Sequence, residues 1–284
     1  MKNFGIGLVF SMLWASASVA TKAALAYAQP FVIADFRFFI AGVLMLAWAH
    51  GIRRQPLPSR AEWLPLIVYG FLNVTLYLGC FVLAMQEVSA GIGSLAPATN
   101  PLIISIFSAI WLGRSIKTNE VIGLILGLIG VGVATYPLLL QSYATLTGLA
   151  ILAVSMVSYS VGTVYYSRIS WQISRLTINT WQILFGGAML LPLTWWLYQP
   201  SKNQLGSSFW ISIGWLVGPV SIAAVQLWLY LLKIDTVKAS IWLFLCPIFG
   251  FLYAALLLHE PITLYTVVGT GLVIVGLYFG QRKG

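Results

Sequence analysis

Apolar residues run along this chain in long stretches separated by short polar clusters, and the alternation repeats ten times. A helix needs about 20 residues to cross about 30 Å of hydrocarbon. Runs of that order lie near 4–22, 30–49, 63–83, 89–112, 118–137, 147–167, 175–197, 210–231, 238–258 and 262–280. Turn-forming residues fall between several of them: Gln29-Pro30, Gln55-Pro56-Leu57-Pro58, Lys117-Thr118-Asn119, Gln199-Pro200-Ser201 and Glu260-Pro261. The pattern predicts an all-α integral membrane protein of ten transmembrane helices, with no connection long enough to be a soluble domain.

Composition agrees with this reading. Of the 284 residues, 60% are hydrophobic and 7% charged, where a soluble domain carries about 25% charged residues. The formal charge of +9 points to topology and not to nucleic acid, because the cations sit in the short connections. With the N-terminus in the cytoplasm, the inner set is Lys2, Arg53, Arg54, Arg60, Arg114, Lys117, Arg168, Arg175, Lys233, Lys238, Arg282 and Lys283, or 12 of 15 basic residues. Lys22, Arg37 and Lys202 fall toward the other face. The positive-inside rule therefore predicts an inner (plasma) membrane protein with both termini cytoplasmic. Lys2, an apolar run and Ala17-Ser18-Val19-Ala20 also have the form of a cleavable signal, but the repeat described next needs this first helix. Cys80 and Cys246 lie in apolar runs, without the spacing of a redox or metal site.

The second half of the chain can be laid on the first. At an offset of 145, Ala41-Gly42-Val43-Leu44 meets Gly186-Gly187-Ala188-Met189. At 146, Ser94 meets Ser240, Pro101 meets Pro247, Ile116 meets Ile262, Gly123 meets Gly269 and Gly130 meets Gly276. The two repeats span 4–138 and 147–280. Each holds five spans, an odd number, so the copies enter the membrane with opposite orientation, and such inverted repeats imply alternating access around a site near the midplane.

These residues carry a resemblance to the EamA unit of the drug/metabolite transporter superfamily over nearly the whole chain. In the second copy the resemblance rests on Ala239-Ser240, Cys246-Pro247-Ile248-Phe249, Leu258-His259-Glu260-Pro261-Ile262, Gly269 and Gly276. In the first it rests on Leu13-Trp14-Ala15-Ser16, Arg37-Phe38-Phe39 and Asn100-Pro101-Leu102. Where the family commonly has glutamate after the fourth helix, this chain has Arg114. The resemblance implies a ten-helix transporter, in most cases an exporter, and specifies no cargo.

Polar and aromatic residues inside the spans are the candidates for a substrate cavity. Arg37 lies seven residues past Pro30, roughly 10 Å into the bilayer, where a charge costs about 2.5 to 3.5 kcal/mol on insertion scales. It either locks helix packing through backbone carbonyls or receives a substrate carboxylate. Trp14, Ser16 and Ser18 on the first helix, with Ser158, Tyr159 and Ser160 opposite them in the repeat, either pack helices closely or bond a polar ligand. Asn73, Tyr77, Asn100, Gln182 and Gln226 need partners in hydrocarbon, from neighbouring helices or from cargo. Trp14, Tyr77, Trp181 and Trp242 are deep enough in their spans for a cavity wall, suited to aromatic, apolar or cationic cargo. Pro101 and Pro247 stand at equivalent positions and predict paired kinks, either gates or static bends. Gly123, Gly127 and Gly130 read as close helix packing.

No span has an acidic residue near its midpoint, since Asp35, Glu87 and Glu260 lie toward ends and Glu120 opens its helix. No nucleophile with a base, phosphate loop or metal-ligand cluster is recognisable, so neither an enzyme nor a cofactor or metal is expected. The expected function is secondary transport of small neutral, zwitterionic or amphipathic metabolites such as amino acids, outward by analogy with the family. The expected partners are a small-molecule substrate and the lipid bilayer. A monomer suffices and a homodimer stays open. The alternatives are a lipid-handling or receptor-like helical bundle and a proton-coupled drug exporter using Asp35, His50 or His259.

Overall fold

Backbone amides in hydrocarbon have no water to bond, so a chain this apolar must satisfy them within helices. The structure, a computed structural model, describes residues 2–112, 118–140, 144–234 and 236–281, and their regular structure is helical, with no strand beyond one isolated bridge, Val88 to Ala144. Arg114, Ile116, Lys117, Arg282 and Lys283 lie outside the described residues, as do the side chains of Lys2 and Lys238.

The elements in order are α1 (Lys2–Leu25), α2 (Pro30–Leu46), α3 (Arg60–Gly70), α4 (Tyr77–Ala84), α5 (Ala90–Leu95), α6 (Asn100–Leu112), α7 (Thr118–Leu140), α8 (Leu146–Arg168), α9 (Arg175–Leu197), α10 (Ser207–Trp215), α11 (Val225–Ile234), α12 (Thr236–Ser240), α13 (Cys246–Leu258) and α14 (Leu264–Gln281). Wider π-helical turns extend α2 through Ala47–Ile52 and join α3 to α4 (Phe71–Leu76) and α10 to α11 (Leu216–Ala224). Tighter 3-10 turns join α5 to α6 (Ala96–Thr99) and α12 to α13 (Ile241–Leu245). Among the described residues, seven continuous helical stretches are long and apolar enough to cross a membrane. Shorter apolar stretches occupy Val121–Ala134, Trp242–Leu258 and Leu264–Gly276.

The outside of the bundle is as apolar as its inside. Trp195 is 87% exposed and Leu146 76%, whereas Asn73, Asn100, Asn179, Gln182 and Arg37 are buried. That distribution suits a lipid solvent.

Glycines set the closest helix approaches. A Cβ at Gly130 on α7 would stand 2.6 Å from the Gly269 carbonyl oxygen of α14, and one at Gly276 would stand 2.7 Å from the Gly123 oxygen. On α3, a Cβ at Gly70 would stand 2.6 Å from the Gln182 oxygen of α9. The most extensive helix pairings are α7 with α14 and α2 with α9. The pair α1 with α13 is matched by α6 with α8.

The two prolines expected to kink their helices each follow a 3-10 turn, at Ala96–Thr99 and Ile241–Leu245. Proline lacks a donor and its ring collides with the carbonyl four residues back. Those residues, Pro97 for Pro101 and Leu243 for Pro247, fall inside the two 3-10 turns, where the α-helical bonding gives way. Pro219 likewise sits inside the Leu216–Ala224 π turn.

Candidate functional site

Phe10, Trp14 and Ser18 recur every four residues along α1, which puts them on one helix face, and that face points to the centre of the bundle. Trp14 stacks parallel to Tyr77 of α4, with centroids 6.5 Å apart and planes 7° from parallel. Tyr159 of α8 packs against both, 4.7 Å from Tyr77 and 5.9 Å from Trp14. Phe10 and Trp228 of α11 complete the aromatic group at 5.2 Å.

Beside this group lies a cavity of about 20 Å³, lined by Trp14, Ser18, Arg37, Tyr77, Phe81, Ser94 and Pro97, with Ala15, Ala17, Leu78, Gly93 and Val220 closing it. It has room for little more than a water molecule. Anything larger fits only if the surrounding helices part. Among the described residues the lining contains one cation, Arg37, and no carboxylate. Ser18 and Ser94 share a hydrogen bond of 2.5 Å across the α1–α5 contact.

Arg37 Nε donates to Ser221 Oγ at 2.7 Å. From there a buried chain of side chains crosses the bundle: the Ser221 carbonyl accepts from Asn179 Nδ2 at 2.9 Å, Asn179 Oδ1 accepts from Gln182 Nε2 at 2.9 Å, and Gln182 Oε1 accepts from Asn73 Nδ2 at 3.1 Å. Asn73 lies in the Phe71–Leu76 π turn and Ser221 in the Leu216–Ala224 π turn, so the chain runs between two places where the helices widen, and the second of them supplies the partner of Arg37. Among the buried polar atoms without a partner are Asn73 Oδ1, Asn100 Nδ2, Tyr159 Oη and Trp228 Nε1. Such groups cost free energy until something polar meets them.

Trp14, Ser18, Arg37 and Tyr77 thus come together at the cavity, Tyr159 stands immediately behind it, and Asn73 and Gln182 belong to the chain that holds Arg37. Asn100 is buried and accepts from Ser160 at 3.3 Å. Four expected site residues stand apart from the cavity. Ser16 faces outward and accepts from Trp215 Nε1 at 2.8 Å. Trp181 joins Trp63, 4.8 Å away, and donates to His50 Nε2 at 3.2 Å. Gln226 bonds the Arg175 carbonyl at 3.4 Å, and Trp242 packs edge-on against Phe4 at 5.4 Å. Sequence reasoning missed Phe81, Ser94, Asn179 and Ser221. The repeat alignment marked Ser94 without assigning it a role, and the i, i+4 spacing from Tyr77 would have found Phe81.

The two ends of the bundle are closed differently. At the end where α4 meets α5, the Glu260 carboxylate accepts from the backbone N–H of Ala90 at 2.6 Å and of Gly91 at 2.9 Å, while Ser89 Oγ accepts from Ile92 N–H. This satisfies donors that a helix start leaves open. Lys22 Nζ donates to the Met85 and Val88 carbonyls at 2.9 and 2.8 Å. At the opposite, arginine-rich end, Glu62 Oε2 accepts from Ser59 and Glu62 Oε1 from the Gln172 N–H at 3.0 Å. A cavity of about 760 Å³ opens there beside Arg53 and Arg175.

Among the described residues no group of three or more His, Cys, Asp or Glu side chains could hold a metal ion. A solved crystal structure shares the fold with a TM-score of 0.70 and 21% identity, over 99% of this chain and 96% of that one. A Bacillus subtilis protein named uncharacterized transporter YvbV is 28% identical over 96% of this chain and 89% of its own length. An Archaeoglobus fulgidus protein named uncharacterized transporter is 29% identical over the full length of both. An Escherichia coli protein named uncharacterized inner membrane transporter YedA is 24% identical over 95% of this chain and 88% of its own. The profile of the EamA-like transporter family matches twice, over residues 3–136 and 146–280. The chain is therefore a multi-pass membrane protein of the EamA-like transporter family, within the drug/metabolite transporter superfamily.

Proposed function

We propose that this protein carries small zwitterionic or amphipathic carboxylates, amino acids and their derivatives among them, outward across the inner membrane by alternating access. The architecture we read for it is ten spans in two inverted five-helix repeats, 4–138 and 147–280, with both termini in the cytoplasm. Matching irregularities at matching places support the repeat: π turns at Phe71–Leu76 and Leu216–Ala224, and 3-10 turns at Ala96–Thr99 and Ile241–Leu245. So does the exchange of partners between α1 with α13 and α6 with α8. Two similar halves that swap packings open a central site to one side and then the other. In this reading the turns ahead of Pro101 and Pro247 are the flexing points.

The observation that carries the substrate reading is Arg37. Its guanidinium is buried, tethered at Nε to Ser221, and faces a cavity wall without a carboxylate. A cargo carboxylate supplies the missing anion in a bidentate geometry, and Trp14, Tyr77 and Phe81 provide an apolar flank. The same cation disfavours organic cations. With no acid in the lining, uniport fits the site better than proton antiport. The test is flux into proteoliposomes for a panel of amino acids, nucleosides and aromatic cations, each with and without a pH gradient. Saturable, gradient-independent flux restricted to carboxylate-bearing compounds is the expected result. Flux of cations, or of nucleosides alone, overturns the substrate class.

Glu260 is the latch of the outer face in this mechanism. Hydrogen bonds to a charged partner contribute about 1.5 to 3 kcal/mol each. Glu260→Ala should therefore shift the population toward an outward-open form. The readout is labelling of a cysteine placed at Ser18, with Cys80 and Cys246 replaced, by a membrane-impermeant thiol reagent added outside. Labelling rises about tenfold or more, and an unchanged rate removes Glu260 from the gate.

A further inference from the structure

Where α2 unwinds into its terminal π turn and α9 begins, the cavity of about 760 Å³ has two unlike walls. One is apolar and continuous with the lipid-facing surface: Leu44 and Trp48 are each 53% exposed and Ile52 76%. The other carries Arg53 and Arg175, with no carboxylate in the lining among the described residues. Arg53 is exposed and Arg175 half-buried. Arg175 lies over the Tyr230 ring with its guanidinium carbon 4.9 Å from the centroid, and its Nη1 is buried with no acceptor.

Two cationic side chains line one cavity without a counter-charge among its described residues, and a buried N–H without an acceptor carries an uncompensated desolvation cost. An anion between them relieves both, and arginine forks match phosphate oxygens. The apolar wall adds a second requirement, because a small free anion would leave it uncovered. Basic pockets between membrane helices are suited to anionic headgroups whose chains stay in the bilayer.

We propose that this cavity is a binding site for an anionic phospholipid of the adjoining leaflet, its phosphodiester held between Arg53 and Arg175 and an acyl chain lying along Leu44, Trp48 and Ile52. The site is separate from the central cavity and does not depend on which cargo is carried. The lipid there bridges the end of α2 and the start of α9, one of the pairs that pack the two halves together.

The experiment is native mass spectrometry and thermal-shift titration of delipidated protein in detergent, with phosphatidylglycerol, phosphatidylcholine and free glycerol phosphate as probes. Phosphatidylglycerol is expected to be retained and to raise the melting temperature, and the other two are not. Arg53→Gln, a change at an exposed side chain, should weaken retention about tenfold, and the Arg53→Gln/Arg175→Gln pair about a hundredfold, at about 1.4 kcal/mol per lost contact. Arg168→Gln, on the same face but outside the cavity lining, should change nothing. Equal retention of phosphatidylcholine, saturation by glycerol phosphate alone at the same affinity, undiminished retention by Arg53→Gln, or an equal loss in Arg168→Gln would each overturn the proposal.

Discussion

If Arg37 receives the cargo carboxylate as proposed, Arg37→Gln should lower saturable transport of a zwitterionic substrate by about a hundredfold, corresponding to roughly 3 kcal/mol lost with a desolvated charge pair. The neutral amide can still donate to Ser221, so the buried chain through Asn179, Gln182 and Asn73 keeps its anchor. What disappears is the one cation in the cavity lining. Arg37→Lys keeps the charge, but a compact ammonium on a flexible stem cannot hold Ser221 and clasp a carboxylate in the same fixed fork. Its transport therefore falls between the other two, with the defect mainly in apparent affinity. Counterflow in proteoliposomes, at matched amounts of folded protein, reads both. Parental flux in Arg37→Gln would return Arg37 to a packing role, the other reading its position in the sequence allowed.

The second large effect is structural. Gly130→Leu puts a side chain where backbone already stands: a Cβ there lies 2.6 Å from the Gly269 oxygen and 2.8 Å from the Val273 nitrogen. The contact is reciprocal, since a Cβ at Gly269 lies 2.5 Å from the Gly130 oxygen. No rotamer change can relieve a clash between a Cβ and a facing main chain, so α7 and α14 must separate and give up the close packing that holds helices together in lipid. Overpacking of this kind costs about 1 to 3 kcal/mol or more. For a chain of this size that lowers the melting temperature by about 2 to 5 °C. Gly271→Leu is the matched control, because a Cβ at Gly271 meets open space. Equal losses in the two variants would mean that helix propensity, and not the α7–α14 contact, sets the effect.

The residues of the candidate site divided by what each side chain could reach. Trp14, Ser18, Arg37 and Tyr77 were readable because deep polar and aromatic groups are rare in hydrocarbon and must face the bundle. The same logic picked Ser16 and Trp181 equally strongly, yet Ser16 finds Trp215 and Trp181 finds His50. A span's sequence says that a polar group needs a partner. It does not say on which neighbouring helix that partner sits. Asn179 and Ser221 were overlooked for the same reason: each is unremarkable in its own helix and matters only because α9 and the α10–α11 turn bring it to Arg37.

The sequence by itself determined the solvent and the family. Long uncharged runs, short basic connections and the recurring serine, proline and glycine pairs need no tertiary contact to be read, because a membrane imposes length and hydrophobicity on each helix separately. Only the tertiary structure decided which polar groups satisfy one another, where the helices widen or tighten, and that the cavity beside Arg37 is closed to anything much larger than water. The physical reason is that hydrogen bonds and packing between helices are pairwise and short-ranged. They depend on the rotation of each helix about its axis, to within a fraction of a turn.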